Sequence, residues 1–215
     1  SIFKEAREIM PVIVGQVMTS RSVKFLYHVS YRSIFDELFQ EISRLFINEK
    51  RSFLGSTATV DFFIHEWSEN QLLSIAKEYP SAMIFNDRFK DIPAVIVAAG
   101  PSLDKRLDEL KSIGDRALII APGTGAKICN KNNIGAHMGI AMDSQKAEAD
   151  LFKNSKIEVL IGSYRLHPDV SRVFPNHFYR MVISNEFIAQ YFCEYFNLSF
   201  DIINDHASIS SSAID

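Results

Sequence analysis

The stretch Pro93-Ala-Val-Ile-Val-Ala-Ala-Gly-Pro-Ser-Leu-Asp104 constrains this chain more than any other. Residues 93–99 are an uninterrupted apolar run rich in β-branched side chains, the pattern of a strand covered on both faces in a parallel sheet. Gly100-Pro101-Ser102 breaks the run. Leu103, Leu107, Leu110 and Ile113 then recur at helical spacing, with charged residues between them. Strand, turn and helix follow in that order. Ser102 is placed to cap the helix, whose first-turn N–H groups lack partners within it. Such groups and the helix dipole favour an anion, typically a phosphate. Gly100 has no Cβ, so a ligand can approach the backbone closely. The expectation is a nucleotide-binding turn at the carboxyl end of the first strand of a doubly wound sheet. Geometry alone leaves an ordinary strand–helix connection open, because Ala98 and Leu103 stand where a dinucleotide fingerprint has its flanking glycines.

The same alternation continues downstream. Strands are expected at 93–99, 116–121, 138–143, 157–161 and 178–183, with helices at 103–113, 124–132, 145–153 and 168–173. Strands separated by helices imply βαβ units and a parallel sheet. The expected class is therefore α/β, with a Rossmann-like, mostly parallel sheet flanked by helices over residues 91–215. After the last strand, Phe187, Ile188, Tyr191, Phe192, Tyr195 and Phe196 form an aromatic stripe read as core or interface.

Residues 1–90 read as a mostly helical extension. Ile2, Ala6, Ile9, Ile13 and Val17 make one stripe, which Pro11 should bend or restart. From Ser33 to Ile47, the residues Ile34, Phe35, Leu38, Phe39, Ile42, Leu45 and Phe46 form a wide apolar face that needs a partner, either the domain or a second chain. Residues 51–63 carry no clear pattern. A short helix is expected over 66–77, ended by Tyr79-Pro80.

A formal net charge of −3 gives no general attraction to nucleic acid or anionic membrane, so any nucleotide must be held by local backbone groups. Cys129 and Cys193 are expected as free buried thiols of a reducing compartment, the cytoplasm. No segment is long and apolar enough to span a membrane. The six histidines, His206 among them, show no i, i+4 pair or Cys/His cluster, so no metal site is expected. The P-loop and the nucleophile-elbow motif are both missing.

Candidate residues collect after the expected strands. Gly123-Thr124-Gly125 follows the second, where Thr124 either contacts phosphate or sugar or caps a helix. Asp143 ends the third. Its carboxylate can bind ribose hydroxyls, hold a divalent metal, orient an acceptor, or simply cap the next helix. Gln145 can read a base or ribose edge, or face solvent. His167 is a candidate general base, or a loop imidazole bonded to backbone. Arg165 can offset phosphate charge, or be a surface cation.

Ala-Gly-Pro-Ser-Leu-Asp after an apolar strand resembles the start of the catalytic domain of the motility accessory factor family. These are bacterial flagellin glycosyltransferases that share a domain with 6-hydroxymethylpterin diphosphokinase-like proteins. Ala117-Leu-Ile-Ile-Ala121 before Gly123-Thr124, and Gly139-Ile-Ala-Met142 before Asp143-Ser144-Gln145, extend the resemblance, as do Ser163 and His167-Pro168. The family commonly has Gly at the place of Ala98 and Pro at that of Ser144. The resemblance covers about residues 91–215. It implies a CMP-activated nonulosonic acid, of pseudaminic or legionaminic type, given to Ser or Thr hydroxyls of flagellin. Gly100, Pro101, Ser102, Gly123, Thr124, Asp143, Gln145 and Ser163 would hold the nucleotide sugar, and His167 and Asp143 would serve the chemistry. It implies no required cofactor for this reaction. A diphosphokinase using ATP, with Mg2+ possible, and a non-catalytic nucleotide-binding or assembly module of the flagellum are the alternatives, and apolar helix faces allow a homo-oligomer. In the family the domain continues beyond the equivalent of Asp215, so the chain is expected to be a fragment that does not turn over alone.

Overall fold

Six short apolar runs between residues 94 and 203 build a parallel sheet in this computed structural model, which describes residues 2–18, 23, 24, 26, 28–32, 34–174, 177–205 and 209–213. Strands β1 (Ala94–Ile96), β2 (Leu118–Pro122), β3 (Ala136–Ala141), β4 (Ile157–Ser163), β5 (Phe178–Ile183) and β6 (Ile202–Ile203) lie side by side in sequence order. Every neighbouring pair is parallel, with registers such as Ile120↔Met138, Gly139↔Leu160 and Gly162↔Arg180. The α/β class with helices flanking a parallel sheet is as the sequence implies. The doubly wound arrangement is not: such a sheet reverses its strand order at a switch point, and here the order runs β1 to β6 without reversal.

Right-handed crossovers between consecutive parallel strands place their helices on one face. Between β1 and β5 the crossover helices are α4 (Leu107–Ile113), α5 (Thr124–Lys131), α6 (Glu148–Phe152) and α7 (Pro168–Val173). Leu110, Ala126, Cys129, Phe152 and Val170 from these helices pack with Ile119, Ala121, Leu160 and Phe178 of the strands in one buried cluster. Strand alternation sends Ile140, Met142, Met181 and Ile183 to the other face. There they meet Ala82 of a 3-10 turn (Ala82–Phe85), Ile203 of β6 and Ile209 of α9 (Ile209–Ser212). Both cysteines are free and buried.

Among the described residues, those from His65 onward form one compact unit and the preceding ones another. The first contains α1 (Ile2–Val17), α2 (Val29–Arg32) and most of α3 (Asp36–Ile75). Helix α1 runs through Pro11, and Met10 and Val14 pack with Phe46 in a small core. The expected apolar face of α3 is buried at Phe46, half-buried at Leu38, Phe39 and Ile42, and open at Phe35. Ser33, its expected start, lies outside the described residues, as does His206. Residues 51–63 are helix, and the expected short helix after them is the end of the same α3. Gly, Ser and Thr lower helix propensity by only about 1 kcal/mol or less each, which the flanking turns override.

Residues 65–90 belong with the sheet. Asn70 Nδ2 donates to the carbonyls of Ser144 and Arg165, and Gln71 Oε1 accepts from the Ala189 N–H of α8 (Phe187–Tyr195). Along α8, Ala189 and Cys193 face inward, and the stripe Phe187, Tyr191 and Tyr195 is exposed.

Candidate functional site

The loops after the strands share the carboxyl edge of the sheet, and each candidate takes its surroundings from the loop that carries it. The turn after β1 differs from expectation. Ser102 has αR backbone and makes no capping bond; a 3-10 turn (Leu103–Lys105) follows, and α4 starts only at Leu107 with Arg106 before it. Gly100 N–H is taken by Ala98 O, and Leu103 N–H by Gly100 O. Pro101 has no N–H. Among the described residues, no hydrogen bond engages the Ser102 N–H or hydroxyl. Ser102 opens on a cavity of about 330 Å³ beside β1, lined also by Val97, Arg106 and Glu109. A Cβ built on Gly100 would meet only Ser102 Oγ, at 3.7 Å.

The turn after β2 is more constrained. Gly123 has φ 47° and is the residue before α5; Thr124 is exposed and Gly125 buried. A Cβ on Gly125 would stand 1.9 Å from the Val97 carbonyl oxygen. The first turn of α5 therefore lies directly against the end of β1.

Strand β3 ends at Ala141, and Asp143 is exposed in the loop. Its Oδ1 accepts from the Gln145 N–H at 3.2 Å. Helix α6 begins at Glu148, so the expected helix from 145 starts three residues later. Gln145 is exposed and borders a cavity of about 600 Å³ with Lys146, His167, Asp169, Arg172, Glu69 and Asn70.

His167 caps α7: its Nδ1 accepts from the Asp169 N–H at 3.1 Å. An imidazole nitrogen that accepts is unprotonated, so in the neutral ring Nε2 carries the hydrogen and is a donor. Asp169 also pairs with Lys146 and Arg172. Ser163 ends β4, fully buried, with no hydrogen-bond partner for its hydroxyl.

Arg165 is buried and paired, not a free surface cation. Its guanidinium donates to Met142 O, Asn185 Oδ1 and both Asp205 oxygens, and lies 4.5 Å over the Trp67 ring. It ties together the loops after β3, β4, β5 and β6. Glu186, fully buried, accepts from the N–H groups of Arg165 (2.5 Å) and Ile183 (3.0 Å). Burial pushes its carboxyl up to about 7 against the pull of those bonds.

Sequence reasoning passed over one further carboxylate, Glu148. It is 7% exposed, and its Oε1 has no hydrogen-bond partner. Burial first, and the nearby Asp143 charge second, push it from 4.5 to about 7. The available signal was its spacing: Glu148 lies four residues before Phe152, on the stripe that faces the core. The edge thus gathers the candidate loops, but Ser102 lies at one cavity and Gln145 and His167 at another. A third cavity, about 720 Å³, opens on the face away from the crossover helices, over Ile120, Met138, Ile140, Ile161 and Met181, and includes none of the candidates. Among the described residues no three His, Cys, Asp or Glu side chains converge on a metal position, and no helix is long and apolar enough to cross a membrane.

Residues 69–215 match a family model described as 6-hydroxymethylpterin diphosphokinase MptE-like. This is the domain to which the Gly-Pro-Ser-Leu resemblance points. Among solved structures the chain is similar to the MAf glycosyltransferase from Magnetospirillum magneticum AMB-1, at 18% identity and a TM-score of 0.41. That likeness covers 59% of this chain and 23% of the other, so the chain spans about a quarter of that protein. No curated protein is matched.

Proposed function

Since the chain belongs to the 6-hydroxymethylpterin diphosphokinase MptE-like family, we propose that its carboxyl edge binds an activated phosphate ester and transfers a group from it to a hydroxyl. The reading we favour is glycosyl transfer, from a CMP-linked nonulosonic acid to Ser or Thr hydroxyls of flagellin. The observation that carries it is the turn after β1. Gly100 has no neighbour that excludes a side chain, and the Ser102 N–H and hydroxyl beside it are free. A glycine without a packing reason next to two unused donors fits a place where a ligand, rather than the protein, comes close.

In this reading the Ser102 donors hold the leaving phosphate, and the charge that grows there on bond breaking is the main thing to be stabilised. Gly123 and Thr124 at the start of α5 extend the phosphate or sugar contact. Asp143, exposed beyond β3, positions hydroxyl groups, and Gln145 reads the base or ribose edge. His167 presents Nε2–H as a hydrogen-bond donor. From β1 to β4 is three strand spacings, about 14 Å. That is the reach of an extended nucleotide sugar and not of one side chain, which suits candidates divided between two cavities.

The family's own description supports a second reading, in which ATP gives a diphosphate to a pterin alcohol. Thermal denaturation with CMP, ATP and ADP separates the two. A ligand at a hundred times its Kd stabilises by about 2.7 kcal/mol. Stabilisation by CMP and not ATP is expected. The reverse favours the diphosphokinase, and no shift with any nucleotide contradicts both.

A further inference from the structure

We propose that the cavity of about 600 Å³ beside the end of α3 is a ribose pocket, in which Asn70 and Glu66 accept hydrogen bonds from the nucleotide's 2′ and 3′ hydroxyls. The inference rests on reading the carboxyl edge as the site of transfer. One wall of the cavity is the last part of α3 and the residues just after it. Glu66, Asn70, Leu73 and Lys77 line it at spacings of four, three and four, which is one side of a helix. Trp67, Gln71 and Ser74 beside them are buried. The opposite walls are Gln145 in the loop after β3 and His167 in the loop after β4.

Asn70 is 5% exposed. Both hydrogens of its Nδ2 are given to backbone carbonyls, of Ser144 at 3.1 Å and Arg165 at 3.0 Å. Those two bonds fix the amide and leave Oδ1 as its acceptor. Among the described residues nothing donates to Oδ1. Buried acceptors are nearly always satisfied, so an amide held this firmly at a cavity wall asks for a donor from within the cavity. Glu66 stands one turn earlier on the same side of the helix and is half-buried. Among the described residues its carboxylate makes no hydrogen bond or ion pair, and only Oε1 of its two oxygens is fully buried.

Two neighbouring acceptors call for a ligand with two donors. A cation is disfavoured, because Lys77, Lys146 and Arg172 border the same cavity. An anion is disfavoured as well. Lys146 and Arg172 are already paired with Asp169, and Lys77 Nζ lies 3.5 Å from Ser171 Oγ. Hydroxyls remain, and they both donate and accept. The half-buried His167, with Nδ1 occupied by the Asp169 N–H, offers Nε2–H to a hydroxyl oxygen. Ribose carries two adjacent hydroxyls, and a carboxylate that accepts from them is a recurrent way to hold it. CMP and ATP both contain ribose, so the assignment is the same for either donor.

The test reads binding alone. CMP, 2′-deoxy-CMP, ATP and 2′-deoxy-ATP are titrated by calorimetry into wild type, Glu66→Ala and Asn70→Ala, with folding checked by thermal denaturation. Wild type should prefer the ribonucleotide of whichever pair it binds by about tenfold, the effect of one hydrogen bond to a charged or buried acceptor. In each variant that preference should shrink to about twofold or less. A residue that only braces the loops would weaken both members of a pair alike and leave their ratio unchanged. Nucleotide binding with no preference for ribose in wild type, or a ratio unchanged in either folded variant, overturns the ribose pocket and leaves the transfer reading intact. Failure of wild type to bind any of the four nucleotides overturns the transfer reading and the pocket with it. Asn70→Ala also removes two bonds to loop carbonyls; should it not fold, the ratio in Glu66→Ala decides.

Discussion

Two turns at the same sheet edge use glycine for opposite reasons. After β2, the chain itself demands it: Gly125 lies so close to β1 that a Cβ would stand 1.9 Å from the Val97 carbonyl oxygen, and Gly123 holds φ at 47°. After β1, nothing in the chain demands it: the nearest atom to a Cβ on Gly100 is Ser102 Oγ at 3.7 Å. The second turn is built for packing of α5 onto the sheet. The first is left open, with donors unspent. A glycine therefore signals function most where the fold gives it no work.

The sharpest way to break that contrast is Gly125→Ala. The added carbon must displace backbone, so we expect destabilisation of more than about 4 kcal/mol, or no folded protein. Chemical denaturation of Gly125→Ala near wild-type stability would show that the turns are alike. The loop after β3 supplies the next largest effect. Because the folded Glu148 carboxyl titrates at about 7 and the unfolded one at 4.5, the folded chain keeps a proton that the unfolded chain releases between those values. Stability from this group is therefore full below about pH 4.5 and is lost as pH rises through 7. Glu148→Gln should match wild type near pH 4.5 and exceed it at pH 8 by up to about 3 kcal/mol. Glu186 shifts the same way in both chains, so the difference between them isolates Glu148. Urea melts at the two pH values decide; a constant difference denies the buried, unpartnered carboxylate.

Gly123→Ala should cost about 2 kcal/mol, the strain of holding a side chain at positive φ. The smallest effect is expected at Gly100→Ala, within about 0.5 kcal/mol of wild type, since no positive φ and no close atom opposes the methyl group. A ranking of Gly125, Gly123, Gly100 in melting temperature is the signature of the contrast. Any other order blurs it.

Much of this fold was legible because period and punctuation agreed. Apolar runs bounded by Gly, Pro or Asp place five of the six strands within a few residues, and β6, two residues long, is too short to leave a pattern. The full order of the strands was not legible. A βαβ series is compatible with reversal or with steady progression, and only tertiary packing chooses between them. Residues 51–63 lacked a stripe because few of their side chains are buried, so nothing imposed a helical period on them.

The site was legible only in part. Motifs located the loops, because turns need particular residues at fixed places. They allowed for a backbone bond at His167 but did not foretell the partners of Arg165. His167, read as a general base or as a loop imidazole bonded to backbone, is found capping α7. Arg165, read as offsetting phosphate charge or as a surface cation, is found holding four loops together over Trp67. Such roles depend on partners 20 or 40 residues away in sequence, Asn185 and Asp205 among them. Glu148 escaped notice because a carboxylate in a helix is usually solvated, and its burial is a property of the packing above β3.

The central claim is that the turn after β1 exists for a phosphate. Calorimetric titration of CMP into wild type and Gly100→Val, at matched and verified stability, tests it most directly. The account predicts two chains that melt alike, with CMP affinity reduced at least tenfold in Gly100→Val because the branched side chain blocks approach to the Ser102 donors. Equal CMP affinity in both chains would contradict it, and would make the turn a plain connection between β1 and α4.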